Sequence, residues 1–299
     1  MSFSLCNCIV DDTQKELAQH GTPFFPIACY HDDWSKESVP WHWHEELEAV
    51  IVSEGSCIVA FGNQKYETHA GDGFFINSEI LHGCWDHNQS SCRFHSMVFH
   101  PNLVGGNLES VFYQNYIFPL IKDLSLEGIY LKSEVPWQKE ALDLLEQTWN
   151  SCVHTPFGYE VKVRNYLSDF MLLIQQNTSN SVASPNTRSL HNRQRIKIML
   201  QYIHSHYSDP INIGLIARSA SISESECLRC FRKTIDMTPI QYVRQYRIEQ
   251  AAKLLTTTEY SVSTIAEQCG FSDLSYFTKT FREITGLPPL QYRMKECGY

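Results

Sequence analysis

The apolar residues of the first hundred positions arrive in short runs broken by turn signals. Ala49-Val50-Ile51-Val52, Cys57-Ile58-Val59-Ala60-Phe61 and Phe94 to Phe99 are such runs. Between them lie Glu54-Gly55, Gly62-Asn63, Ala70-Gly71-Asp72, Asn77-Ser78 and Asn88-Gln89-Ser90. Runs of this length, rich in β-branched and aromatic residues and joined by short connections, predict strands of a small barrel or jelly roll between Phe24 and about His100. From Trp137 to Gln176 the period lengthens: Ala141, Leu144, Leu145, Thr148 and Trp149, then Val163, Leu167, Phe170, Met171 and Ile174, recur at helical spacing. Two amphipathic helices follow, and their stripes can either pack on the barrel or form a dimer interface. Asn177 to Asn192 is rich in Ser, Asn and Thr and reads as an exposed linker. Beyond it helical spacing runs to the end of the chain, interrupted by turn residues at Asp209-Pro210, Ala220-Ser221, Thr238-Pro239, Cys269-Gly270 and Gly286 to Pro289. The pattern therefore predicts a two-domain α+β protein: a β-barrel with two flanking helices over residues 1–176, a linker at 177–192 and an all-α domain over 193–299.

Within the all-α part, two stretches superpose. Ile216 to Ser223 leads into a helix carrying Phe231-Arg232-Lys233, and Ile265 to Ser272 leads into one carrying Phe281-Arg282-Glu283. The copies stand 49 residues apart at their alanines, Ala217 and Ala266, and 50 apart at their phenylalanines. A helix-turn-helix needs a small residue where its helices cross and favours glycine in the turn, where the backbone is left-handed. Ala217, Ala266 and Gly270 meet those demands. Ser221 holds the turn of the first copy, at a cost of about 1 kcal/mol if it must be left-handed. Ser223, with Glu226 completing a capping box, and Ser272 or Asp273 are the expected N-caps of the second helices. Cys227, Cys230, Phe231 and Ile235 then form one apolar stripe, and Phe277, Phe281 and Ile284 the other. Between the copies Pro239 to Leu255 predicts a bridging helix with Tyr242, Tyr246 and Leu254 in its core.

These residues, and the segment GFSDLSYFTKTFREITGLPPLQYR above all, resemble the DNA-binding domain of the AraC/XylS family of bacterial transcription regulators. The resemblance covers roughly the last hundred residues. It implies two helix-turn-helix units that enter successive major grooves about 34 Å apart, with the outward residues of the second helices facing DNA: Ser225, Leu228, Arg229 and Arg232 in the first unit, Leu274, Ser275, Thr278 and Lys279 in the second. Arg229 and Lys279 would reach guanine edges or phosphates, and Leu228 or Leu274 thymine methyls. Leucine departs from the polar residues common at those two places.

In the barrel, Trp41-His42-Trp43-His44-Glu45-Glu46-Leu47-Glu48 read as one strand puts His42, His44, Glu46 and Glu48 on one face. The spacing His-x-His-x3-Glu-x6-Gly, ending at Gly55, is similar to the first motif of the cupin barrels. Gly71, Asn77, Glu79 and His82 resemble the second, with Asn77 and Glu79 where Pro and Gly are usual. The resemblance implies a cupin-like barrel in which His42, His44, Glu48 and His82 bind an effector or hold a divalent metal, and three imidazoles with one carboxylate suit Zn, Ni, Mn or Fe. Trp43 either packs in the core or lines the mouth and stacks on an effector. His69, His87, His95 and His100 have no motif context.

Charge sharpens the division. The chain of 299 residues carries −9, but Leu190 to Tyr299 holds 14 Lys and Arg against 10 Asp and Glu, net +4, which leaves −13 on the remainder. One half can approach phosphate and the other is repelled by it. No apolar run approaches a membrane span and the N-terminus lacks a basic leader, so a cytoplasmic location is expected. The 11 Cys are odd in number and scattered, and the close pairs Cys6/Cys8 and Cys227/Cys230 lack partners at zinc-site spacing, so reduced thiols are expected. The expected function is sequence-specific transcription regulation, as an activator, by a homodimer that answers to a sugar or related metabolite in the barrel and contacts RNA polymerase; no catalytic residues are expected. A metal-dependent cupin enzyme or a metal sensor carrying a DNA-binding domain would use the same barrel residues.

Overall fold

A computed structural model of the protein describes residues 8–11, 13–33, 39–62, 64–86, 92–178 and 187–296. The chain divides into two compact units, Met1–Arg193 and Gln194–Tyr299. Asn63 and the turn at Asn88-Gln89-Ser90, with His87 and residues 179–186 of the expected linker, lie outside the described residues.

Among the described residues the first unit holds nine strands: β1 (Ile27–Asp33), β2 (Val39–His42), β3 (Leu47–Glu54), β4 (Ser56–Phe61), β5 (Gln64–His69), β6 (Gly73–Ile76), β7 (His82–Asp86), β8 (Arg93–Phe99) and β9 (Gly128–Leu131). They form two antiparallel sheets, ordered β1-β8-β3-β6-β9 and β2-β7-β4-β5. Strand β3 explains why one sheet reads as continuous apolar sequence. Val50 and Val52 join Val59, Phe61 and Phe74 in the core between the sheets. Ala49 and Ile51, of opposite side-chain direction, join Phe75 and Met97 under two helices, α3 (Pro136–His154) and α4 (Tyr159–Thr178). Both expected helical stripes are spent here: Ala141, Leu145 and Trp149 from α3, and Val163, Leu167, Phe170 and Ile174 from α4, are buried against that sheet. A fully buried side chain of this size contributes about 1.5–3 kcal/mol, so these stripes hold the helices to the barrel and do not argue for a dimer interface. Among the described residues two short α-helices, α1 (Asn102–Gly105) and α2 (Phe118–Lys122), with a π-helical turn at Tyr113–Ile117 between them, precede β9.

Helix α5 (Thr187–His206) crosses the boundary between the units, so residues 187–192, expected in the linker, are helical. In the second unit follow α6 (Ile213–Ser219), α7 (Glu224–Thr234), α8 (Pro239–Thr257), α9 (Val262–Gln268), α10 (Leu274–Thr285) and α11 (Pro289–Glu296). The two helix-turn-helix units are α6/α7 and α9/α10, and α8 packs against α6, α7, α9, α10 and α11. Ala217 and Ala266 are buried at the crossings. Capping differs from expectation in one place. Ser223 accepts from the Glu226 backbone N–H, but the Glu226 carboxylate goes to Arg229 and does not reach back, so no box closes there. The capping box is instead Thr238 with Gln241, at the start of α8.

Both turns are left-handed, at φ 55° for Ser221 and 77° for Gly270. The Ser221→Gly substitution is accordingly expected to raise the stability of the second unit by about 0.5–1 kcal/mol. Gly270→Ala should lower it, because an added Cβ would come within 2.8 Å of the Ser208 carbonyl and the Arg247 guanidinium. Urea unfolding followed by circular dichroism checks both signs.

Candidate functional site

The barrel site forms where β2 pairs with β7, with His42 opposite His82. One expectation needs correction. Trp41 to Glu48 is not a single strand: β2 ends at His42 and β3 begins at Leu47. The intervening turn keeps His42, His44 and Glu48 directed inward and leaves Glu46 outside the cavity lining. The donor atoms of His42, His44, Glu48 and His82 all lie within 4.8 Å of one another.

The orientation of each ring is set by a backbone carbonyl. Nδ1 of His42 donates to Pro40 O at 2.9 Å, that of His44 to Glu46 O at 3.2 Å and that of His82 to Ile80 O at 2.7 Å. A carbonyl can only accept, so each Nδ1 carries a hydrogen, and each Nε2 is directed at the common centre, where a proton on it would be donated to Glu48 and a lone pair would be offered to a cation. Glu48 Oε2 lies 2.9 Å from His82 Nε2 and 3.4 Å from His44 Nε2, while Glu48 Oε1 accepts from Ser96 Oγ at 2.9 Å. Burial opposes ionisation of Glu48, yet its hydrogen bonds and proximity to His44 and His82 hold the carboxyl well below its usual range. Burial, with His82 alongside, pushes the His42 imidazole down to about 3, which keeps it in the neutral form that ligates. His44 Nε2 is buried without an aligned hydrogen-bond partner, and such an orphan needs a reason. A cation at the centre would supply one, and the donor set fits.

Sequence reasoning missed Glu16 and His20, because nothing in their spacing relates them to the barrel strands. They reach the site on a segment pinned along Trp43: the Glu16 N–H donates to Trp43 O, the Trp43 N–H to Gln14 O and the Trp43 indole N–H to Thr13 O, each at 2.9 Å. Trp43 therefore holds this segment and does not line the cavity. Glu16 Oε2 stands 3.3 Å from His20 Nε2 and 3.9 Å from His42 Nε2, and His20 Nδ1 is 2.9 Å from the Tyr30 hydroxyl. The cavity that remains is about 30 Å³, walled by Val50, Phe74, Phe94 and Val98 as well as the polar groups.

The second cupin-like stretch is present but altered in use. Asn77 is buried and donates from Nδ2 to the Leu120 and Leu126 carbonyls at 2.9 Å, a clamp on the following loop. Glu79 takes a left-handed backbone, φ 61°, at the place where glycine is usual.

In the second unit the outward faces of α7 and α10 carry the expected residues. Ser225, Arg229 and Arg232 are exposed and Leu228 half-buried on α7; Leu274 (47% exposed), Ser275 and Lys279 are exposed and Thr278 half-buried on α10. Leu274, Ser275, Thr278 and Lys279 line one open depression, together with Arg282, Glu283 and Pro288. Ile284 is corrected: it is 40% exposed, and Thr280 takes the third buried place beside Phe277 and Phe281. Arg229 is engaged by Glu226, whose carboxylate also lies 3.5 Å from Arg195. Two arginines that sequence reasoning did not single out are structural. Arg247 donates to the Tyr207, Gly270 and Asp209 carbonyls, and Arg293 to those of Leu255, Thr258 and Tyr260.

Paired helix-turn-helix motifs in one unit and a barrel with a polar pocket in the other are the architecture of a DNA-binding transcription regulator. Residues 24–148 match the family described as "AraC-like ligand binding domain" and residues 216–295 that described as "Helix-turn-helix domain". The uncharacterized HTH-type transcriptional regulator YdeC of Bacillus subtilis is 30% identical over 291 residues, 96% of this chain and 98% of its own. The HTH-type transcriptional activator RhaS of Escherichia coli is 25% identical over 292 residues, 94% of this chain and 98% of its own. The chain belongs to the AraC family of transcription regulators. Among solved structures, the DNA-binding domain of AdpA in complex with a target DNA is 28% identical, covers 34% of this chain and 90% of that one, and has a TM-score of 0.32. Among the described residues no helix is long and apolar enough to cross a membrane.

Proposed function

We propose that the protein is a transcription activator whose input is a small polar effector, a sugar or related metabolite, received at a divalent cation held by His42, His44, Glu48 and His82. The observation that carries this reading is the convergence of three imidazole Nε2 atoms and one carboxylate, each ring oriented by a backbone carbonyl. Zn, Ni, Mn or Fe suits such a set, and an ion there would polarise effector oxygens as a Lewis acid. A cavity of about 30 Å³ has room for an ion and about two waters, so a sugar enters only as Glu16 and His20 give way. Effector binding then regulates because it favours one arrangement of the protein over another; a ligand indifferent to the two would do nothing.

Activation, through contact with RNA polymerase in the cytoplasm, draws on the likeness to RhaS, which is named an activator. A homodimer belongs to the same reading, with exposed Phe157, Val161 and Leu172 at its interface in place of the buried stripes. Ser225, Leu228, Arg229 and Arg232, with Leu274, Ser275, Thr278 and Lys279, face the bases and phosphates. Leu274→Ala is expected to relax discrimination at one base pair by about 1 kcal/mol, whereas Lys279→Ala should weaken binding to all sequences and reduce the salt slope by about 1. Fluorescence anisotropy on operator variants across a salt series checks both. The reading itself is tested by elemental analysis of the purified protein and by operator affinity with metabolite pools, with and without chelator. Metal-free protein that responds to a sugar would remove the cation from it.

The cavity volume favours one second reading, in which the ion itself is the effector. Operator affinity would then follow the metal and the chelator with no organic ligand added.

A further inference from the structure

The segment that carries Glu16 brings a second set of donors against the barrel site. The Sγ of Cys8, a carboxylate oxygen of Glu16 and the Nε2 of His42 lie within 4.8 Å of one another. His20 stands beside them with its Nε2 3.3 Å from Glu16 Oε2. Glu16 and His20 are 7% and 5% exposed, and His20 Nε2 is buried without an aligned hydrogen-bond partner. Its other nitrogen faces the Tyr30 hydroxyl at 2.9 Å, so Nε2 is the atom left directed into the cluster. Four donors of three types, thiol, carboxylate and imidazole, thus meet beside the cavity, and the buried His20 Nε2 among them has the Glu16 carboxylate at 3.3 Å but no aligned hydrogen bond.

We infer that Cys8, Glu16, His20 and His42 form a second cation site, selective for thiophilic divalent ions, which ties the N-terminal segment to the barrel. It rests on the barrel reading through His42, whose one available nitrogen must serve either this set or the set of His44, Glu48 and His82, because its Nδ1 is committed to Pro40 O. The two sets differ in softness. The barrel set offers only nitrogen and oxygen and tolerates Mn, Fe or Ni, whereas a thiolate among the donors favours Zn or Cd. The nature of the ion therefore decides which set claims His42, and only the thiophilic ion adds a metal tie to the hydrogen bonds that already hold residues 13–16 along Trp43. The sequence concealed this because Cys8 and His42 are far apart along the chain and Cys8 has no second cysteine at zinc-site spacing.

The test titrates the full-length reduced protein, and its Cys8→Ser and Glu48→Gln variants, with Cd2+ while recording the ultraviolet absorption of cadmium–thiolate bonds and the rate of proteolysis within residues 8–20. Wild type is expected to develop the absorption at one equivalent and to gain protection of the segment. Cys8→Ser should lose both, with affinity lowered at least about tenfold, and Cys8 is only half-buried, so the variant folds. Glu48→Gln should keep both. Absence of the absorption in wild type, or its persistence in Cys8→Ser, overturns the inference. Cadmium that binds without thiolate absorption, and is lost in Glu48→Gln, would overturn it while leaving the barrel site standing; loss of all binding in wild type would remove both.

Discussion

Glu48→Gln is expected to lower the affinity of the barrel for Mn2+ or Ni2+ by more than about a hundredfold while leaving the fold intact. Loss of a residue that merely orients a metal ligand costs about 10- to 100-fold, and Glu48 is itself a donor and the anion of a set whose other three members are imidazoles. A neutral amide of the same shape keeps an oxygen for the Ser96 hydroxyl, so the β3–β8 contact survives. The carboxylate is held ionised by His44 and His82 against the cost of burial, which places negative charge at the centre of the cavity before any ion arrives. The reading of these groups as plain hydrogen-bond partners for a sugar makes the opposite forecast, because glutamine can replace a carboxylate in that role at a cost of about 1.5–3 kcal/mol or less. Calorimetric titration with each metal separates the two. Equal affinity in wild type and variant would remove Glu48 from the metal set.

Phe281→Ala should have the largest effect on DNA binding of any single change outside the recognition faces. Phe281 is 0% exposed and packs with Phe277 at 5.7 Å and Tyr292 at 5.4 Å between ring centres, in the cluster that joins α8, α9, α10 and α11. Truncating a buried phenylalanine costs about 3–5 kcal/mol, against a total of about 5–15 kcal/mol for a typical domain. The second helix-turn-helix would be substantially melted at 37 °C. Operator binding at that temperature should fall by at least about a hundredfold and recover in part on cooling toward the temperature of maximum stability. The control is Glu283→Ala, an exposed change on the same helix, which should be nearly neutral for folding. Operator affinity that is unchanged in Phe281→Ala would mean that α10 does not depend on this core.

Much of this protein was legible before its structure. Short apolar runs broken by turn signals located the strands, and a period of 3.6 located the helices, because a strand buried on both faces reads as continuous apolar sequence whereas a helix buries one stripe. The helix-turn-helix copies were visible because their demands are local: a small residue at a crossing, a left-handed turn, an N-cap a few residues on. Even Ser221, an unfavourable residue for its turn, was placed correctly by that logic. His42, His44, Glu48 and His82 were legible as a set through the resemblance of their spacing to the cupin motifs, whereas the turn between β2 and β3, and not a single strand, is what brings them together.

Other features were decided only by tertiary packing. Whether the stripes of α3 and α4 faced the barrel or a partner is invisible in a period, since an apolar face does not name what covers it; burial against β3 and its neighbours answered it. Glu226 could close a capping box or pair with Arg229, and side-chain competition chose the latter. Glu16 and His20 enter the site, and Trp43 leaves it, because a segment with no regular period lies along the barrel and is held there by backbone hydrogen bonds. Sequence specifies what repeats at short range; contacts between residues far apart along the chain depend on the closed three-dimensional path, and in this protein those contacts set the size and chemistry of the pocket.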